Sequence, residues 1–143
     1  MGLELRILQP RDVDVLVNVA PGVFDRPLVP QLVTEFLNDG RHHLAVAVDQ
    51  GVVVGIASGV HYIHPDQPSE LWINEVAVAP SHQGKGVGKA VVETLLQHGR
   101  SLGCREAWVL TDRSNQAAMR LYASTGGAES SDHAVMFTFQ LHS

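Results

Sequence analysis

Apolar residues recur along this chain in two periods, and the places where the period changes mark its elements. Leu3, Leu5 and Ile7 alternate with Glu4 and Arg6 between Leu3 and Gln9, the period of a strand, and Pro10 ends it. Asp12 stands where it caps a helix carrying Val13, Leu16, Val17 and Ala20 at helical spacing, and Pro21-Gly22 stops that helix. Leu32, Val33, Phe36 and Leu37 predict a second helix that ends near Asn38-Asp39-Gly40. Leu44 to Val48 and Val52 to Tyr62 are rich in Val, Ile and Ala, and Asp49-Gln50-Gly51 joins them as a hairpin. Leu71 to Val78 is nearly continuous apolar sequence, the pattern of a central strand buried on both faces, and Glu75 interrupts it.

The second half alternates strand with helix. After Pro80, the segment Gln83-Gly84-Lys85-Gly86-Val87-Gly88-Lys89 opens a helix whose apolar side is Val87, Val91, Val92, Leu95, Leu96 and Leu102, closed by Gly103. Ala107 to Thr111 is a short strand, Ser114 or Asn115 caps a helix through Tyr122, and Val135, Phe137, Phe139 and Leu141 alternate in a final strand. The order predicts one α/β (α+β) domain over residues 1–143, its mixed sheet antiparallel at first and joined in the middle by a right-handed crossover.

Composition narrows the class. A chain of 143 residues with 45% hydrophobic and 17% charged residues is one globular domain. Its start lacks a basic stretch followed by an apolar core, and no apolar run approaches the roughly 18 residues of a membrane span, so a cytoplasmic protein without a membrane partner is expected. Cys104 is the single cysteine and reads as structural. Residues 1–80 hold ten acids and four arginines, and residues 81–143 hold five acids and six bases. The overall acidity argues against a nucleic-acid partner. Only two lysines are present, Lys85 and Lys89, and both fall in the glycine-rich segment, which makes it a local anion site.

Two phosphate-binding devices fail at this segment. A P-loop needs glycine where Gln83 stands and a hydroxyl where Ala90 stands, and a dinucleotide fingerprint needs glycine where Lys89 stands. What remains, Gln83-x-x-Gly86-x-Gly88 after a buried strand, resembles the pyrophosphate loop of the GNAT superfamily of N-acetyltransferases. The resemblance extends over roughly His43 to Gly126, with Asn115 and Tyr122 where that superfamily has an Asn and a Tyr. It implies a mixed sheet of about six to seven strands with about four helices, with residues 1–80 mainly on the acceptor side and 81–143 mainly on the cofactor side. It also implies acetyl-CoA as cosubstrate, held by the turn from Gln83 through Gly84, Lys85, Gly86, Val87 and Gly88 to Lys89, by strand residues Val76, Ala77 and Val78, and by Asn115. Dimers are common in that superfamily, and the sequence itself shows no interface.

Acetyl transfer to an amine requires proton removal from the amine, polarisation of the thioester carbonyl and protonation of the leaving thiolate. Glu75 is the candidate base, because burial in an apolar strand would raise its pKa; the alternative is a buried carboxylate paired with Arg120. Tyr122 is the candidate acid by the resemblance, and otherwise a core aromatic. The eight histidines are dispersed, fit no metal-ligand set and read as surface or loop residues, with His61 or His64 as a candidate to border the acceptor site.

The acidic first half suits a cationic acceptor, for which Asp25, Glu35, Glu70, Glu75, Asp112, Glu129 and Asp132 are candidate contacts. Val46 to Gln50, Val53 to Gly55, Gln67 to Val78 and Thr111-Asp112 together are similar to the type I aminoglycoside acetyltransferases of the fortimicin and gentamicin group, which modify a 3-amino group. Glu75, a longer base, stands where that group carries Asp, Asn74 replaces an aromatic and Gln83 replaces the common Arg. The implied function is direct acetyl transfer to an aminoglycoside, conferring antibiotic resistance. A polyamine or protein amine is the rival acceptor, and a non-catalytic acyl-CoA-binding regulatory domain is the rival of another class.

Overall fold

The computed structural model describes residues 2–130 and 134–142. Strand β1 (Leu3–Ile7) is followed by a 3-10 segment over Pro10–Val17, helix α1 (Pro30–Asn38), strands β2 (His42–Asp49), β3 (Val52–Tyr62) and β4 (Glu70–Val78), a 3-10 turn at Pro80–His82, helix α2 (Val87–Ser101), strand β5 (Glu106–Val109) and helix α3 (Gln116–Ser124). The five strands form one sheet in the order β1-β2-β3-β4-β5. Every pairing is antiparallel except β4 with β5, which is parallel and reached through the α2 crossover.

The core fills both faces of the sheet. Leu71, Val87, Val91 and Leu95 are buried between the sheet and α2, which packs across β1 to β4, while Val46 and Ile56 alternate to the other face and are buried in the same cluster as Leu16, Val23 and Leu37. On the opposite face α1 lies over β2, with Phe36 against His42 at 5.4 Å between ring centroids. The β2–β3 hairpin turns through Gln50 and Gly51, both at positive φ, which matches the twist of the strands it joins.

Three expectations are corrected. The first helix is a 3-10 segment that ends at Val17, and Asp12 sits inside it, accepting the N–H of Gln9 (2.7 Å) and Nη2 of Arg6 (2.9 Å). Among the described residues the sheet has five strands rather than six or seven, since residues 134–142 form no strand and Val135, Phe137, Phe139 and Leu141 are 78 to 85% exposed. Their alternation prepares a face for burial, but no strand or helix among the described residues receives it. Finally, β4 is buried only on the α2 face at Leu71 and Ile73, while Asn74 and Glu75 are exposed. No helix among the described residues is long and apolar enough to cross a membrane.

Candidate active site

Strand alternation decides which backbone groups of β4 are free. The N–H of Ala79 reaches the carbonyl of Val54 beside β3 (2.8 Å), so Ala77 points toward β3 as well, while Val76 and Val78 point the other way. On that side β5 has already stopped, its last pair being Val109 with Ile73. The peptide groups of Val76 and the N–H of Val78 therefore face a gap between β4 and β5. The carbonyl of Val78 is held by the side-chain amide of Gln83 at 3.2 Å. Ala77, expected in the same binding set, turns its peptide groups to β3.

A bulge sets the direction of Glu75. Gly59 pairs with Ile73 and Ser58 with Glu75, so Asn74 is the extra residue, and the side chains from Glu75 onward are shifted to the opposite faces. Unbulged alternation would turn Glu75 toward α2. With the bulge it lies opposite Ser58, on the face away from α2, and Ser58 Oγ accepts its backbone N–H at 3.2 Å. Gly59 permits this geometry, because a Cβ there would meet the carbonyl oxygen of Trp72 at 3.0 Å and Leu71 Cδ1 at 3.2 Å. Glu75 is thus exposed rather than buried, and its carboxylate has no ion pair with Arg120 or any other described residue. A glycine inside a long strand pattern was the sequence signal for the bulge.

The glycine segment forms the turn that opens α2. Gly84 (φ 76°) and Gly86 (φ 81°) both occupy the left-handed region, and Gly86 is the N-cap of α2 without a side-chain cap. The first helical bond runs from the N–H of Ala90 to the carbonyl of Gly86 (3.0 Å), so the N–H groups of Val87, Gly88 and Lys89 are left for a ligand. Lys85 and Lys89 are exposed beside them and make no ion pair with a described residue. The turn is anchored from behind by His82, whose Nε2 lies 2.7 Å from Asp49 Oδ2 on the β2–β3 hairpin. Sequence reasoning did not find that anchor.

Helix α3 closes the floor of the gap. A Cβ on Gly88 would lie 3.5 Å from both Leu121 Cδ2 and Val78 Cγ2, so the end of β4, the start of α2 and the middle of α3 converge at Gly88. Tyr122 is the next residue on α3, half-buried, and burial raises its phenol pKa, which keeps the proton on the oxygen. Asn115 is the N-cap of α3, its Oδ1 accepting the N–H of Ala118 at 3.0 Å. Asp112 orders the preceding turn by accepting Oγ and the N–H of Ser114 (2.7 and 2.8 Å), and these bonds lower its pKa.

The acceptor-side acids are not gathered in one place. Asp25 lines a cavity of about 570 Å³ with Val13, Leu16, Phe24, Leu28 and Val33, apart from β4. Glu70 is engaged by Arg105, whose Nη2 and Nε donate at 2.8 and 3.3 Å, and Glu129 by Arg113 at 2.8 Å. Asp132 lies outside the described residues.

Three histidines join in a hydrogen-bonded chain. His43 is buried, its Nε2 2.8 Å from Nδ1 of His61 and its Nδ1 3.0 Å from Nε2 of His98 on α2. His43 pairs with Gly59, and His61 follows two residues later on the same face. His61 therefore faces α2. Cys104 is a free thiol whose pKa burial raises. No group of three or more His, Cys, Asp or Glu among the described residues is arranged to hold a metal ion.

Comparison with known proteins places this geometry in a family. Residues 14–126 match the model of the acetyltransferase (GNAT) family. The N-alpha-acetyltransferase RimI of Mycobacterium tuberculosis is 33% identical over 104 residues, 73% of this chain and 63% of that one. A mycothiol acetyltransferase of Thermomonospora curvata is 39% identical over 70 residues, 48% of this chain and 23% of that one. The chain thus spans less than two thirds of the length of these curated relatives. Among solved structures, an aminoglycoside acetyltransferase from an uncultured soil metagenomic sample, in complex with sisomicin, superposes with a TM-score of 0.83 at 20% identity, covering 98% of this chain and 97% of that one. The aminoglycoside N-acetyltransferase AAC(6')-Iy in complex with CoA gives 0.73 at 19% identity, covering 99% and 96%. With the family model matching most of its length, and a glycine-rich helix N-terminus set against a parted pair of parallel strands, the chain belongs to the acetyltransferase (GNAT) family.

Proposed function

We propose that this chain transfers an acetyl group from acetyl-CoA directly to an amine of a cationic small molecule, with an aminoglycoside as first choice. The observation that carries the reading is the free edge of Val76 and Val78 leading to the unpaired N–H groups of the Gly84–Lys89 turn. An extended arm that ends in a pyrophosphate fits such a surface, the arm pairing as a missing strand and the anion resting on the helix N-terminus. Acetyl-CoA supplies the activated thioester.

The residues divide the remaining work. The N–H of Val76 faces the gap and serves as the donor for charge developing on the thioester oxygen. The amine nitrogen attacks the carbonyl carbon, its proton passes to the Glu75 carboxylate directly or through one water, and the C–S bond breaks. The departing sulfur takes the phenol proton of Tyr122, and both side chains return to their starting states through solvent.

The ten acids of residues 1–80 favour a polycationic acceptor, and sisomicin bound to a structural neighbour supports an aminoglycoside. The type I resemblance favours its 3-amino group. The 33% identity to an N-alpha-acetyltransferase supports a second reading, in which the acceptor is the terminal amine of a protein. A thiol-release assay with sisomicin, spermidine and a short peptide ranks the three. Release with sisomicin far above the others supports the first reading, and release with the peptide alone replaces it with the second.

A further inference from the structure

The sheet face turned away from α2 carries an aromatic cluster on the part of β3, β4 and β5 beyond α1. Trp72 pairs with Trp108 across the parallel β4–β5 seam, and Val60 with Trp72 and Tyr62 with Glu70 across β3–β4, so Tyr62, Trp72 and Trp108 share one face. Their ring centroids are 5.2, 6.2 and 6.3 Å apart with interplanar angles of 12 to 20°. A linear column would put the outer two rings about twice as far apart as neighbours. Nearly equal separations mean that the rings overlap like shingles and present one continuous aromatic surface.

This surface is more than a cross-strand contact that steadies the sheet. Tyr62 is 36% exposed, and neither indole N–H nor the Tyr62 hydroxyl bonds to any described residue. Tryptophan and tyrosine in a closed core ordinarily satisfy those groups. Carboxylates lie on the same face, Glu70 in register with Glu106, with Arg105 neutralising only part of that pair. His64, whose ring lies 6.4 Å from Tyr62, keeps a buried Nε2 without a hydrogen-bond partner 4.0 Å from Glu70 Oε1. The position matters as much as the chemistry. The Trp72–Trp108 pair is one step before the last pair of the seam, and the Asn74 bulge has turned Glu75 to this same face three residues further on, about 10 Å along the strand.

We propose that Tyr62, Trp72 and Trp108 form a stacking platform for a non-reacting ring of an aminated, polyhydroxylated acceptor, holding it while an amine on a neighbouring ring reaches Glu75. The apolar C–H face of such a ring lies on the indoles, its hydroxyls accept from the free indole N–H groups, and its ammonium groups meet the aromatic faces and Glu106. A flexible polyamine has no ring face to offer. The platform therefore selects for cyclic acceptors. This rests on the proposed acetyl transfer, and the test separates the two.

Trp72 and Trp108 are the chain's only tryptophans, so intrinsic indole emission reports the platform alone. Sisomicin titrated into the protein without acetyl-CoA is expected to shift that emission saturably, and spermidine is not. In the thiol-release assay, Trp108→Leu and Tyr62→Ala are each expected to raise the KM for sisomicin about tenfold with kcat nearly unchanged. Trp108→Phe restores most of the loss, and spermidine kinetics do not move. Tyr62→Ala, at an exposed position, preserves the test if Trp108→Leu fails to fold. Thiol release with sisomicin, coupled to unmoved emission and unmoved KM in the variants, overturns the platform and leaves acetyl transfer standing. A saturable emission shift lost in Tyr62→Ala, with no thiol released from any acceptor, supports the platform and overturns acetyl transfer. No shift and no release overturn both.

Discussion

Ser58 Oγ accepts the backbone N–H of Glu75 at 3.2 Å, and this bond ties the bulged stretch of β4 to β3 at the residue proposed as base. Replacing Ser58 with Ala removes the acceptor while keeping the strand. The expected result is a loss of about 1 kcal/mol in stability, as for one net hydrogen bond, and a lower kcat with unchanged acetyl-CoA binding. Denaturant melts and steady-state kinetics on the same variant check both parts.

Glu75→Gln keeps the shape of the side chain and removes its basicity. Turnover is expected to fall by roughly 100-fold or more, while acetyl-CoA still raises the thermal midpoint as it does in the parent. Tyr122→Phe is expected to act on kcat in the same direction. Near-normal turnover in both variants would remove the roles assigned to them.

Gly86 has open space around its α-carbon but a φ of 81°. A substitution there acts through the backbone, not through a clash. Gly86→Val is expected to cost at least about 1–2 kcal/mol of stability and to abolish the rise in thermal midpoint that acetyl-CoA produces. A shift of parental size in the variant would mean that the turn does not hold the pyrophosphate.

His43 gives the fold a dependence on acidity. Burial first, and then the neighbouring His98 and His61, lower its pKa from 6.5 to about 4. As pH falls, the unfolded chain therefore takes up the proton before the folded chain does. Stability is complete above about pH 6.5 and declines progressively toward pH 4, by about 3 kcal/mol in all. His98 shifts in the same direction, chiefly through burial. Denaturant melts of the parent and of His43→Gln across this range check the prediction, the variant showing the flatter profile.

The elements were legible where period and punctuation agreed. The hairpin at Gln50-Gly51, the turn at Gly84 and Gly86 and the amphipathic α2 all follow from local rules that tertiary packing does not override. The direction of Glu75 was not legible by counting, since one extra residue at Asn74 reverses every face after it, and only Gly59 hinted at the bulge. The histidine chain was hidden for another reason. His43, His61 and His98 lie on three elements, and their approach depends on a strand register and a helix position that no local pattern encodes. The final apolar alternation misled in the opposite direction, because a strand-like period says what a segment is prepared to bury and not whether a neighbour is there.

The β4–β5 seam has only four pairs, Glu70–Glu106 to Ile73–Val109, and α3 contributes no fully buried residue. The last quarter of the described chain therefore hangs on the shortest strand pairing of the sheet, and amide hydrogens in β5 and α3 are expected to exchange sooner than those in β2 and β3. An acyl arm wedged beside Val76 would add rungs to this joint and slow that exchange. Cosubstrate binding would then act as a clasp, stiffening β5, and Trp108 with it, before any amine arrives.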